Sequence, residues 1–364
     1  MIVELLHSLG VLLLLGVTLL PLSHSPRWWI RTLDFPRLQF FVFAVLLIAV
    51  QLGFCDYVTW LHYALLLVTL AAAAYQFSWI YPYTPLAPLE AKWCVEKGRK
   101  ETISILCANV LTPNRKAQAL IDIVTTSQPD LLITLESDLW WQDHLVPLEK
   151  DYPHCVKWPL DNLFGMHLYS RLPLNEAEAK YLVEDGIPSI HCKVQLPSGR
   201  QVNCHFLHPT PPVPEYSTES TPRDAELIVV AKSVQNKAEP IIVAGDLNDV
   251  AWSTTTRLFR KISGLLDPRI GRGLFNTFHA EYPLMRWPLD HLFHSRHFRI
   301  ARITRLASIG SDHFPIVFEL AVDPAKWKGQ PSADPDSGDI EEAKKTIRAG
   351  EESDRRPIGH DWEK

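Results

Sequence analysis

The sequence predicts an α/β (α+β) layered domain built round one core, with transmembrane α-helices ahead of it. Three observations carry that expectation. Residues 1–91 hold only three Lys/Arg (Arg27, Arg31 and Arg37) and four acids, and they fall into three long apolar runs. From 100 to 322 charges of both signs are nearly balanced, and short β-branched runs alternate with stretches of helical spacing. Beyond 322 the chain turns polar, rich in Pro, Gly, Asp, Glu and Lys.

The apolar runs cover about 5–22, 38–54 and 61–81 within an anchor of residues 1–81. Each is close to the ~20 residues that cross a bilayer as a helix. Their main polar interruptions are His7 and Ser8, Gln39 and Gln51, and His62 and Gln76. Trp28, Trp29, Tyr57, Trp60, Trp79 and Tyr81 gather at the ends, where aromatic rings settle at a membrane–water interface. No Lys or Arg precedes the first run and no small-residue cleavage site follows it, so permanent insertion is expected rather than a removable leader. The first loop carries Arg27, Arg31 and Arg37, and the second only Asp56. Lys92, Lys97, Arg99 and Lys100 follow the third run. With three crossings, the positive-inside tendency puts the first loop and the main domain together in the cytoplasm.

A linker of 82–99, opening on the Pro-rich stretch Pro82–Pro88, leads to the domain of 100–322. There Thr102–Val110 reads as a strand, Arg115–Ser127 as a helix and Leu131–Leu135 as a short buried strand. Hairpin-like pieces follow at Met166–Tyr169, Ile187–Leu196 and Gln201–Leu207. Arg223–Val234 is helical in spacing, Pro240–Ala244 is another apolar strand, and His291–Phe293, Phe298–Ile303 and Phe314–Val322 complete the set. The tail of 323–364 is expected to be disordered, being too polar to bury a core. None of the six cysteines forms a C-x-x-C pair, which excludes a zinc ribbon or a thioredoxin motif. Cys192 and Cys204 flank a turn at Pro197–Arg200 and are expected as neighbouring buried thiols. A net charge of -5 does not demand nucleic acid as a partner, and no feature calls for an obligate protein partner.

Polar groups fall repeatedly at strand ends. Asn109 ends the first strand and Glu136 the second; His208 follows Leu207; Asp246 and Asn248 follow Ile241–Gly245; Asp290 opens a strand, and Asp312-His313 precede the last. Each alone is an ordinary turn residue. Together, acids, amides and histidines on strand ends converge on one rim of a sheet, where a rigid support can hold a site. His291, His294 and His297 are spaced by three, but along a strand that spacing alternates faces and speaks against a zinc triad.

Gly245-Asp246-Leu247-Asn248 resembles the G-D-x-N motif, and Ser311-Asp312-His313-Phe314-Pro315 the S-D-H-x-P motif, of the endonuclease/exonuclease/phosphatase superfamily. Asn109, Glu136 and Leu289-Asp290-His291 are similar to its asparagine, metal-binding glutamate and histidine-supporting aspartate segments. Ala108 stands where relatives carry an aromatic, and Leu135 where many carry Gln. The resemblance runs from about Lys100 to Val322. Three apolar segments ahead of such a domain resemble a bacterial subgroup, which implies the plasma (inner) membrane.

What the resemblance implies is a four-layered sandwich of the deoxyribonuclease I-like type that hydrolyses phosphoesters with a divalent cation, Mg²⁺ or Mn²⁺. Glu136 would hold the ion, with Asn109 and Asp312 completing or adjoining its site. Asp246 would orient or deprotonate the attacking water, Asn248 would donate to a phosphate oxygen, His313 paired with Asp290 would act as base or cationic clamp, and His208 would face the phosphate. Arg286, in the Lys/Arg-rich stretch 257–305, is the expected substrate-phosphate contact. The substrate is a nucleic acid, a lipid headgroup or another small phosphoester, and the lipid bilayer is the other partner. A membrane-bound pseudoenzyme that only binds is the competing reading.

Overall fold

The computed structural model describes residues 2–54, 59–94, 101–322 and 334–352. Expectations that rest on Cys55, Asp56, Tyr57, Lys97, Arg99, Lys100 and the tail segments 323–333 and 353–364 lie outside the described residues.

Helices α1 (Ile2–Leu19), α3 (Arg37–Phe54) and α4 (Trp60–Ile80) pack round Val11, Leu14, Ala44, Leu47, Ala72 and Ala73. With their short extensions, Ile2–Ser23, Arg37–Phe54 and Trp60–Tyr83 are long and apolar enough to cross a membrane. Some of their polar groups bond inside the bundle. Gln76 Nε2 donates to Thr18 Oγ1 (3.0 Å), Arg37 to Gln76 Oε1 (3.2 Å) and Gln51 Nε2 to the His62 carbonyl (2.6 Å). Side chains that would be costly facing lipid thereby tie the helices together. A one-turn helix, α2 (Trp28–Arg31), lies in the loop between α1 and α3.

The described strands are β1 (Thr102–Asn109), β2 (Leu131–Leu135), β3 (His154–Trp158), β4 (Met166–Ser170), β5 (Leu174–Tyr181), β6 (Pro188–Gln195), β7 (Gln201–Leu207), β8 (Ile241–Asp246), β9 (Asp290–His294), β10 (Phe298–Arg305) and β11 (Ile316–Val322). They form two sheets, ordered β10-β11-β1-β2-β4-β3 and β5-β6-β7-β8-β9. Between the sheets lies a dry core that includes Ile105, Ile133, Leu168, Val194, Phe206, Leu292 and Phe318. Helices α5 (Ala117–Ser127) and α6 (Leu139–His144) cover the outer face of the first sheet. Helices α7 (Thr221–Val234) and α8 (Thr254–Ser263) cover the second. The result is the four-layered sandwich. Cys192 and Cys204 sit directly opposite each other in the β6–β7 register, as free buried thiols.

One expectation fails. Part of the polar tail, Ser337–Glu352, is helix α9, which packs on α7 and α8. Its sparse apolar residues, Ala343 and Ile347, are one turn apart on one face and join the cluster of α7 and α8. Lys261 Nζ seals the contact on Asp339 (2.8 Å). Overall polarity concealed an amphipathic stripe.

The sandwich rests on the ends of the apolar helices. Tyr83, Ile80, Trp252, Leu289 and Ile270 are buried together, with Phe35, Phe41, Phe77, Phe278 and Trp287 packed around them. Among the hydrogen bonds that cross the junction, Trp252 Nε1 donates to the Asp34 carbonyl (2.8 Å) and Tyr83 Oη to the Ala251 carbonyl (2.5 Å).

Candidate active site

The topology dictates a common rim. β1 and β2 are parallel, as are β7 and β8; β11 runs antiparallel to β1 and β9 antiparallel to β8. The C-terminal ends of four strands therefore lie beside the first residues of two others. Asn109, Glu136, His208 and Asp246 stand on the former, Asp290 and His313 on the latter. Asp246 and Asp290 are direct partners in the β8–β9 register. Gly245, with φ of 139°, brings β8 so close to the Leu207 carbonyl that a Cβ has no room, which explains the glycine before the aspartate.

Side-chain geometry confirms the convergence. His313 Nδ1 donates to Asp290 Oδ2 (2.8 Å), and its Nε2 lies 3.4 Å from Asp246 Oδ2. Asn109 Nδ2 bridges two carboxylates, donating to Glu136 Oε1 (2.7 Å) and to Asp246 Oδ2 (3.2 Å). His208 Nε2 stands 4.0 Å from Asp246 Oδ2, with the ring packed on Phe164. Glu136 and Asn248 hold left-handed backbones, with φ of 60° and 51°. Non-glycine residues take that conformation at a cost, and functional sites are where it recurs.

Burial sets the charges. Glu136 is pushed up to about 7, chiefly by desolvation, with the neighbouring charges of Asp312 and Asp246 adding to it. Asp246 is pushed up to about 7 by burial, against the pull of His313. For His313, burial is outweighed by Asp290 and Asp246, which raise the imidazole to about 10. It is therefore an imidazolium at neutral pH. His208 goes the other way, to about 3, through burial and then the charge on His313, and so stays neutral.

These residues fit a hard divalent cation. Glu136 Oε2 is buried with no hydrogen-bond partner, and the oxygens around it are of the class that Mg²⁺ and Mn²⁺ take. Asp246, Asp290 and His313 also offer ligand atoms within 4.8 Å of one another. His313 lies against both of those carboxylates, at 3.4 Å from Asp246 and 2.8 Å from Asp290.

Not every expected residue points into the site. Asn109 turns its amide nitrogen to the carboxylates while its oxygen accepts from Leu111 N (3.1 Å), so it braces Glu136 and Asp246. Asn248 donates its amide to the Pro209 carbonyl (2.9 Å) and its backbone N–H to Asp246 Oδ1 (2.9 Å), fixing the loop. Asp312 is half-buried and accepts from Ser311 Oγ (3.2 Å). Arg286 donates to the His279 and Ala280 carbonyls and lies over the Phe314 ring, which makes it a brace within its own hairpin. The basic stretch around it is not one phosphate-facing rim: Arg260 pairs with Glu90, Arg269 with Asp267, and Arg272 binds the carbonyls of Pro268 and Ala91. Nor do His291, His294 and His297 share a ligand; their ring nitrogens engage Arg269 and the Asp249 carbonyl, the Ser295 carbonyl, and Ser295 Oγ respectively.

Further residues hold the site from behind, Arg223 at the start of its helix among them. Asp290 N donates to Thr277 Oγ1 (3.2 Å). Arg223, fully buried, donates to the Asn248 carbonyl (2.7 Å) and lies 3.4 Å from Asp249. Arg269 can only donate, so His291 Nδ1 accepts from it (2.7 Å) and Nε2–H donates to the Asp249 carbonyl (2.9 Å).

The model of the Endonuclease/Exonuclease/phosphatase family matches residues 106–313, a span that includes Asn109, Glu136, His208, Asp246, Asp290 and His313. The fold is similar to that of humanized D. rerio TDP2 carrying 14 mutations, at 15% identity and a TM-score of 0.50, covering 61% of this chain and 99% of that one. It is also similar to the human Nocturnin catalytic domain with bound sulfate, at 18% identity and 0.50, covering 62% and 96%. D. rerio TDP2 complexed with a single-strand DNA product gives 15% and 0.50, over 61% and 99%. At such identities the likeness is one of fold. No curated protein matches the sequence.

Proposed function

This chain belongs to the endonuclease/exonuclease/phosphatase family, and from that premise we propose a membrane-anchored, divalent-metal-dependent phosphoester hydrolase. The observation that carries it is Glu136: a buried carboxylate at a strand end, with one oxygen unpartnered, linked through Asn109 to the Asp246–His313–Asp290 group.

Glu136 would hold the cation, Mg²⁺ or Mn²⁺, with Asp312 adjoining. Bound there, the ion supplies charge neutralisation for the phosphate. Asp246, near neutrality in its pKa, accepts a proton from the attacking water or orients it. His313, kept charged by Asp290, is a fixed cationic clamp on the developing phosphoryl charge. Neutral His208 presents a donor to a phosphate oxygen. Asn248 shapes the loop that aims Asp246. The three apolar helices span the bacterial plasma membrane, and the domain of 100–322 faces the cytoplasm.

Nucleic acid remains in view as a substrate because a structure of D. rerio TDP2 holds a single-strand DNA product. A lipid-headgroup phosphodiester is favoured by one feature of this chain. Trp28 N donates to the Thr218 carbonyl (2.9 Å) and Ser220 N to the Pro26 carbonyl (2.8 Å), which fastens the loop after His208 to the loop between the first two apolar helices.

The test uses the full-length protein in nanodiscs, with and without Mg²⁺ or Mn²⁺, on plasmid DNA, a short RNA, phospholipid and bis-p-nitrophenyl phosphate. Cation-dependent hydrolysis that is largely lost in both Glu136→Gln and His313→Ala is expected. Folded protein that binds the cation yet hydrolyses none of the four would overturn the enzyme reading in favour of a binding protein.

A further inference from the structure

The hairpin from Thr277 to Trp287 carries an exposed apolar tip. Residues 281–285 are all exposed, and three of them are large and apolar: Tyr282 (55%), Leu284 (85%) and Met285 (53%). Single exposed apolar residues are commonplace, but consecutive ones on an ordered turn mark a contact surface. The tip is ordered by its own bonds: Met285 N donates to the Tyr282 carbonyl (2.9 Å), His279 N to the Met285 carbonyl (3.0 Å), and Arg286 clamps the carbonyls of His279 and Ala280 from inside.

Its height is fixed by a hydrogen bond. Gln39 Nε2, in the first turn of α3, donates to the Leu284 carbonyl (2.8 Å). Gln39 is two residues past the start of the apolar span at Arg37, or ~3 Å along the helix axis. The same helix face continues, at helical spacing, as the exposed Val42 and Leu46. The tip thus lies against the lipid-facing side of α3, at the level where the apolar span begins.

We propose that Tyr282, Leu284 and Met285 insert into the headgroup–acyl boundary beside α3, so that the hairpin is a membrane-seated support for the active-site loop. Its base grips that loop directly. Ala280 N donates to the Asp312 carbonyl (2.6 Å), Phe314 N donates to the Thr277 carbonyl (2.9 Å), and the Phe278 ring packs on His313 at 5.0 Å between centroids. A tyrosine at the tip suits this depth, where its ring is in the apolar layer and its hydroxyl among the headgroups.

The inference rests on the membrane-spanning reading of α1, α3 and α4, and the test separates the two. A photocrosslinking benzoylphenylalanine is placed singly at Leu284, at Leu67 or at Ser198 in the full chain, reconstituted in phosphatidylethanolamine/phosphatidylglycerol nanodiscs and read by intact mass. Leu67 is a lipid-exposed position of α4, and Ser198 lies in the β6–β7 turn, at the opposite end of β7 from His208. Phospholipid adducts at 284 and 67 in comparable yield, with none at 198, are expected. Adducts at 67 without adducts at 284 overturn the proposal and leave the anchor standing. No adduct at either position overturns both.

Discussion

At the scale of single residues, the site divides its ionisable groups by environment. His313 lies between two aspartates and is held at about 10 even though burial opposes its charge, so it cannot serve as a base near neutrality. Asp246, lifted to about 7 mainly by desolvation, can. The profile of kcat/KM against pH is therefore expected to rise through an acid limb near 7, because Asp246 must lose its proton. His313 lowers the pKa of Asp246, so His313→Asn should move the limb of the residual activity to higher pH. An unmoved limb would assign the titration to another group. Asp290→Asn removes the carboxylate that orients and charges His313. Turnover should drop by about 10²–10⁴-fold, in the range of a lost acid–base partner, and the melting temperature should fall as well, because a buried ion pair is broken from one side.

At the scale of elements, α7 shows a cost that the fold tolerates. Glu226 is buried, its Oε1 has no partner among the described residues, and desolvation followed by the charge of Glu184 lifts it to about 8. Between the ordinary value of 4.5 and about 8, the folded chain holds a proton that the unfolded chain has lost. Stability therefore falls as pH rises through that window, by an amount on the order of a few kcal/mol, and levels off above it. Thermal melts from pH 5 to 8 should show this slope in the wild type, and Glu226→Gln should flatten it. A slope that survives the substitution would place its origin elsewhere. The same scale shows what could be read in the sequence. The central strands β1, β2, β8 and β11 are apolar runs buried on both faces, and each was legible because nothing else looks like them. β3 and β5 were not, because they are edge strands whose half-exposed residues (Asn175, Glu176 and Glu178 in β5) lack a pattern. Site residues at strand ends were legible for the same reason as the strands. Side-chain direction was not: Asn109, Asn248 and Arg286 have suitable chemistry, and only the folded chain shows them turned to carboxylates and carbonyls.

At the scale of the whole molecule, the apolar helices are coupled to the site as well as attached to it. Arg37, in the first turn of α3, holds Asp34 (2.5 Å), whose carbonyl receives Trp252; Arg31, from the same loop, donates to Asp224 (3.3 Å) and Thr255 (2.5 Å). Asp224 also accepts from Arg223, and Arg223 donates to the Asn248 carbonyl within the G-D-x-N loop. Desolvation works against the charge on Arg31, yet the carboxylates of Asp224, Asp249 and Asp34 raise its pKa, so Arg31 shares with Arg223 and Arg37 the compensation of those buried acids. Arg31→Met removes that cation and keeps the bulk. Breaking a buried ion pair from one side costs about 3–5 kcal/mol, so a clearly lower melting temperature is expected. Partial recovery should follow in Arg31→Lys, along with reduced kcat from a loosened Asn248 loop. Excising residues 101–322 goes further, because it also uncovers Trp252, Leu289, Phe278 and Trp287, which pack on Phe35, Phe77 and Tyr83. That fragment should associate in size-exclusion chromatography and turn over substrate more slowly than the intact chain. A monomeric fragment with undiminished kcat would instead mean that the helices serve only as a tether, and that the Arg31–Asp224–Arg223 chain carries nothing to the site.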